Sequence, residues 1–189
     1  MFFMFFLLSR RRLSVFLTII RSMKSNKGNI AMSEIKNLEN IDLPNVSYIG
    51  DSAFSNCEKL SYISIPKCNE IAQNAFINCN LLENVYDITE TKVGNSAFAF
   101  CNKLSNISFD KIIEIGTQAF IDCYGLSNIN LNKCEKIGSS AFKNCSNLKK
   151  ISLSVCSEIQ SDAFKNCTSL ISVTIPNSVT YIGYDAFYS

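Results

Sequence analysis

Histidine is absent from the whole chain of 189 residues. That removes the commonest general base and the commonest metal ligand, so most hydrolase and zinc-enzyme readings weaken before any motif is sought. Basic clusters are missing as well. Six of the 18 lysines and arginines (Arg10, Arg11, Arg12, Arg21, Lys24 and Lys27) precede the first acid, Glu34, leaving 12 bases against 16 acids, a net of −4. A net-negative stretch without grouped bases offers no phosphate-binding face, so no nucleic-acid partner is expected. Nine cysteines are present, yet no Cys-x-x-Cys pair occurs among them. Long apolar runs are also lacking: MFFMFFLL and LSVFLTII are short blocks, well under the roughly 20 residues that cross a bilayer.

Residues 1–33 differ in kind from the rest. Joining the two apolar blocks would place three arginines mid-segment at roughly 2.5–3.5 kcal/mol apiece, which argues against a spanning helix. Three readings fit the segment: a signal peptide, a membrane-surface anchor acting through residues 1–22, or a non-native extension ahead of a start at Met23 or Met32. No small-x-small cleavage site stands out, and Arg21 and Lys24 follow the second block at once.

What fills residues 34–189 is one sentence repeated. SAFSNCEKLSYISIP from Ser52 returns as SAFKNCSNLKKISLS from Ser140 and as DAFKNCTSLISVTIP from Asp162. The phenylalanine of Ala-Phe falls at Phe54, Phe76, Phe98, Phe120, Phe142, Phe164 and Phe187, evenly spaced up to Phe164 and with one extra position before the last. A fixed period of about 22 residues marks a solenoid, whose single unit buries too little to fold alone and gains a continuous core by stacking. Before Ala-Phe stand Ser52, Asn74, Ser96, Gln118, Ser140, Asp162 and Asp185; six of the seven are preferred N-caps, so a short helical turn is expected to start there. Ala53, Phe54, Cys57 and Leu60 share one helical face and predict the core. The glycine column (Gly50, Gly94, Gly116, Gly138, Gly183) has Ala72 and Gln160 in two copies, which favours close backbone approach over an obligatory positive φ.

In the second half of each copy, Leu60 is followed by Ile63 and Ile65, and these last two alternate with polar residues and predict a half-buried strand. Because every copy runs the same way, successive strands lie parallel, about 4.8 Å apart, in one ladder. Leu38, Ile41 and Leu43 precede Leu60, Ile63 and Ile65 by one full period, so the ladder is expected to begin near residue 38.

The strand half, Leu-x-x-Ile-x-Ile followed by Cys68 and its counterparts Cys134 and Cys156, resembles the leucine-rich-repeat signature. With the preceding Ile-Gly-x-x-Ala-Phe-x-x-Cys-x-x-Leu, residues 38–189 resemble the BspA-like leucine-rich repeats of bacterial and protist surface proteins. The resemblance implies an α/β repeat solenoid, a right-handed superhelix with one parallel β-ladder and short helical turns opposite. It also implies a non-catalytic role in adhesion or protein binding. Departures from the pattern are Asp87 in a core strand column, Phe100 in place of the usual Asn or Asp before the cysteine, and a chain that stops soon after Phe187, as a C-terminally incomplete domain would.

Six cysteines (Cys57, Cys79, Cys101, Cys123, Cys145 and Cys167) hold one column and three hold another. One thiol per coil cannot supply the four converging ligands of zinc, and stacked side chains fit a disulfide torsion poorly. Buried reduced thiols are expected, with no metal, no cofactor and no catalytic residue. The candidate binding residues are the two outward stripes of the strands: Tyr62, Asn84, Asn106, Asn128 and Lys150 in one, Ser64, Tyr86, Ser108, Asn130 and Ser152 in the other. On a solenoid's strand-lined concave face they would take a protein, such as a host or matrix protein, and no small-molecule substrate. Lys143 and Lys165 are read as convex positions that flank the helical turns and take no part in binding. Asn45, Asn106, Asn144 and Asn166 head glycosylation triplets. A cell-surface or secreted scaffold is the first reading; an intracellular interaction module follows if translation starts at Met23 or Met32.

Overall fold

The computed structural model describes residues 37–189; the readings of residues 1–33 lie outside the described residues. Each coil supplies two short strands. The first gives β1 (Asn40–Asp42) and β2 (Tyr48–Ile49), the second β3 (Tyr62–Ser64) and β4 (Glu70–Ile71), the third β5 (Asn84–Tyr86) and β6 (Thr91–Val93). Then come β7 (Asn106–Ile107) with β8 (Ile112–Ile115), β9 (Asn128–Leu131) with β10 (Lys136–Ile137), and β11 (Lys150–Leu153) with β12 (Glu158–Ile159). The last coil gives β13 (Ser172–Val173) and β14 (Tyr181–Ile182). All pairing is parallel, with Asn40 opposite Tyr62 and Tyr62 opposite Asn84, so the period seen in the sequence is the register of the sheet.

Two expectations are corrected. The single ladder is instead three sheets: β1-β3-β5-β7, β9-β11-β13, and a second ladder of seven strands running from β2 to β14 along the Ile-Gly column. The first ladder breaks where Phe109 stands in place of Ile or Leu. Its ring turns inward against Phe120 (5.1 Å) and Phe142 (5.9 Å), and the backbone follows it into a 3-10 turn over Phe109–Lys111, cutting β7 to two residues.

The second correction concerns the Ala-Phe segment, which is not helical; the turn at Phe109–Lys111 is the sole helical element among the described residues. Ser52 and Asn56 have φ of 56° and 60°, and the equivalents in later coils are likewise left-handed. This geometry sends alternate N–H groups in opposite directions. Ser52, Phe54 and Asn56 donate to the carbonyls of Gln73, Ala75 and Ile77 in the next coil (2.9, 2.7 and 2.8 Å). Ala53, Ser55 and Cys57 close turns onto Gly50, Ser52 and Phe54. A helix would keep all of these bonds to itself; here they tie coil to coil. Short polar side chains that cap helices also tolerate left-handed backbone, because both roles use the same local hydrogen bonding.

The core is stacked in columns. Phe54, Phe76, Phe98, Phe120, Phe142, Phe164 and Phe187 form parallel ring pairs 5.1–5.3 Å apart, tilted by 8° or less. The extra position of the last interval is absorbed between β13 and β14: Ser172 still faces Lys150 at the ordinary period, whereas Tyr181 faces Glu158 one position late. From Gly94 onward the glycine column is one of close approach, with no glycine at positive φ among the described residues; a Cβ on Gly138 would lie 2.5 Å from the carbonyl carbon of Gly116. Asp87 leaves the core. With φ at 60° it turns outward and the buried Ile88 takes the apolar position.

Candidate functional site

All nine cysteines are buried and none forms a disulfide. Five of the first column share one contact: the thiols of Cys79, Cys101, Cys123, Cys145 and Cys167 donate to the carbonyls of Phe54, Phe76, Phe98, Phe120 and Phe142 at 3.1–3.2 Å. Those of Cys68, Cys134 and Cys156 donate to the carbonyl two residues on. Burial pushes the Cys57 and Cys68 thiols up to about 11 and those of Cys134 and Cys167 to about 12. A thiol held protonated is neither nucleophile nor metal ligand. Among the described residues no group of three or more Cys, Asp or Glu stands where it would hold a metal ion. No helix there is long and apolar enough to cross a membrane.

The outward faces of the first ladder hold the candidate residues. Tyr62, Asn84 and Asn106 stand opposite one another across β3, β5 and β7, and Asn128 faces Lys150 across β9 and β11. Asn106 donates to Asn84 (2.7 Å), so the amides form their own ladder. In the second stripe Ser64 faces Tyr86, and Asn130 faces Ser152. Ser64 is only 9% exposed; its hydroxyl donates to Asp87 Oδ2 at 3.0 Å. Ser108 lies past the end of β7, where the 3-10 turn begins, so the two stripes do not run unbroken from coil to coil. The rings of Tyr62 and Tyr86 meet at 5.3 Å and 45°. Tyr62 donates to Asp42 (2.8 Å) and Tyr86 to Asn84 (3.0 Å), and Tyr86 keeps 42% of its surface in solvent.

Lys143 and Lys165 are not free. Lys143 binds Asp162 (3.1 Å), and Lys165 bridges Asp162 (3.4 Å) and Asp185 (2.8 Å), holding two left-handed turns together.

The second ladder went unread in the sequence. Its outward rung runs Tyr48, Glu70, Lys92, Glu114, Lys136, Glu158 and Tyr181 in register, with ion pairs Lys92–Glu114 (3.1 Å) and Lys136–Glu158 (3.4 Å). The alternation of sign from Glu70 to Glu158, once per repeat and always before or near Ile or Val, was the available signal.

A family model for the BspA type leucine rich repeat region matches residues 17–90 and 69–189 in six copies. No curated protein sequence matches the chain. Among solved structures, a leucine rich cell surface protein from Faecalibacterium prausnitzii is 32% identical with a TM-score of 0.73 over 80% of this chain and 45% of its own. The leucine rich repeat protein TpLRR from T. pallidum is 26% identical with a TM-score of 0.68, covering 77% of this chain and 73% of its own. A leucine-rich repeat protein from Eubacterium ventriosum, at 22% identity and a TM-score of 0.66 over 79% of this chain and 42% of its own, shares the fold. The chain thus spans less than half of the Faecalibacterium protein. A register fixed by the repeat, a stacked phenylalanine column and a family match over most of its length lead to one conclusion: the chain belongs to the BspA-type leucine-rich-repeat family.

Proposed function

We propose that the protein is a non-catalytic scaffold that recognises a protein partner, at the cell surface, through the outward face of the first ladder. One observation carries this reading. Tyrosine, asparagine and serine side chains stand in register on that face within each of its two runs, β3-β5-β7 and β9-β11, on either side of the 3-10 turn, while four of the seven residues on the second ladder's rung are held in ion pairs. Tyrosine brings large amphipathic area at low entropic cost and is enriched at binding hot spots. Surface location is supported by the Faecalibacterium relative, which is described as a cell surface protein. Protonated, buried thiols and the lack of histidine favour a role without chemistry.

The test is a pull-down from host-cell surface extract, followed by titration of the captured protein. Tyr62→Ala with Tyr86→Ala, or Asn106→Arg with Asn128→Arg, should weaken binding by roughly tenfold or more, the loss of a hot spot worth about 1.4 kcal/mol. The melting transition should stay nearly unchanged. Glu70→Ala with Lys92→Ala, on the second ladder, should leave capture intact. Loss of capture in that last pair, with both stripe pairs still binding, would place the docking surface on the other ladder.

A further inference from the structure

Charge on the outward face of the first ladder is sorted along the stack. From Leu38 to Leu131 the outward positions on the first-ladder strands, and those directly adjoining their ends, hold four exposed carboxylates, Asp42 in β1 and Glu39, Glu83 and Asp87 beside β1 and β5, and no lysine or arginine. The first bases on the face, Lys149 and Lys150, arrive together on the next coil, both exposed. None of these six groups has an ion-pair partner among the described residues, although lysines elsewhere pair with Glu90, Glu114, Glu158, Asp162 and Asp185. Lys59 and Lys67, on the turns flanking β3, donate to Asn37 and Asn45 instead.

The acidic end is also the aromatic end. Asp42 Oδ1 accepts from Tyr62 and Asp87 Oδ2 from Ser64, so the two carboxylates bracket the Tyr62–Tyr86 ring pair. Both act on the same phenol. The hydrogen bond to Asp42, then desolvation and the charges of Asp42 and Asp87, raise Tyr62 above its ordinary value, with Ser64 opposing. Ring faces beside carboxylates suit an organic cation, which gains from the ring quadrupole within about 6 Å. A hard metal ion would take oxygen ligands alone. Arginine fits best, because its planar guanidinium stacks on aromatic rings and also meets a carboxylate in a fork.

We infer that the strand face takes a charge-polarised protein segment, with an arginine or lysine side chain laid on Tyr62 and Tyr86 between Asp42 and Asp87, and its acidic portion toward Lys149 and Lys150. This rests on the docking-face reading above and names the chemistry of the partner. Charges without ion-pair partners along the two runs of the first ladder, sorted by sign, set the orientation in which such a segment lies.

The experiment titrates the full chain with a dye-labelled Arg-Gly-Arg-Gly-Arg peptide and its Glu-Gly-Glu-Gly-Glu counterpart at low ionic strength. The arginine peptide should bind roughly tenfold or more tighter than the glutamate peptide. Asp42→Asn with Asp87→Asn keeps the acceptors for Tyr62 and Ser64 and should remove that advantage, as should Tyr62→Ala with Tyr86→Ala. Glu70→Gln with Glu135→Gln removes the same charge elsewhere and should change nothing. Equal affinity for the two peptides, or an equal loss in the Glu70 and Glu135 pair, overturns the inference. Should capture of the natural partner still need Tyr62 and Tyr86 in that case, the docking face survives without the basic partner; capture indifferent to both tyrosines removes the face itself.

Discussion

Phe100 sits with φ at 63° in a column otherwise held by Asn56, Asn78, Asp122, Asn144 and Asn166. Its neighbours show what it interrupts: Asn78 donates to Asn56, and Asn166 to Asn144 and Asn144 to Asp122, at 2.9–3.0 Å. A bulky residue in left-handed backbone carries strain of order ~1–3 kcal/mol. Phe100→Asn should therefore stabilise the chain by about 1 kcal/mol, read as a higher urea midpoint at unchanged m-value. The stacked ring at Phe120 makes the opposite case. Phe120→Ala opens a cavity between Phe98 and Phe142 and should cost about 3–5 kcal/mol in the same melt. A loss under about 1 kcal/mol would mean that the ring column is not the core.

The thiols add a pH dependence whose sign follows from burial. Their ordinary value is 9.0, and the fold raises Cys57 and Cys68 to about 11 and Cys134 and Cys167 to about 12. Above pH 9 the unfolded chain loses thiol protons that the folded chain keeps, so this contribution is whole below pH 9 and is lost as pH climbs from there to about 12. Denaturant melts between about pH 8 and about pH 10.5 should show falling stability, with a shallower fall after Cys134→Ala. In native buffer at neutral pH a thiol reagent should find most of the cysteines only after denaturant is added.

At the scale of the element, the first ladder was legible because Ile63 and Ile65 alternate with polar residues behind Leu60 in copy after copy, and because the constant period fixes register. The second ladder was not: a strand of two residues, such as Glu70–Ile71, has no alternation to read. Ser52 and its equivalents were misread as helix caps because residue type cannot separate a cap from a left-handed turn. What decides is the carbonyl of the next coil, known once coils are stacked. The outward residues of the first ladder were legible as two stripes, but the placement of Asp42, Asp87 and Lys149 beside them was not. Asp42 matters through Tyr62 on the following coil, and the contrast with Lys149 exists only once all the coils share one face. The rung of the second ladder is exposed, so its ion pairs are worth about 0–1 kcal/mol each. Lys92→Ala should accordingly move the urea midpoint very little, and double-mutant analysis with Glu114→Ala measures the coupling.

Taken whole, residues 37–189 assign their interior to cohesion and leave one outward face to the recognition proposed above. Rings stack, thiols donate to the previous coil's phenylalanine carbonyls, and among the described residues no buried side-chain nitrogen or oxygen lacks a hydrogen-bond partner. Successive coils stack in register, with Lys133 reaching two coils back to Glu90, so the face they present follows the period that builds it except where the 3-10 turn at Phe109 interrupts the first ladder. The seven tyrosines (Tyr48, Tyr62, Tyr86, Tyr124, Tyr181, Tyr184 and Tyr188) sample several surfaces of this body, two on the first ladder, two on the second, and three on the turns or beyond the last strand. Hydroxyl-radical footprinting of the captured complex therefore reports which surface the partner covers. Oxidation of Tyr62 and Tyr86 should drop severalfold on binding while Tyr48, Tyr124 and Tyr181 react as in the free protein; protection of Tyr48 and Tyr181 with Tyr62 and Tyr86 still reactive would contradict recognition through the first ladder.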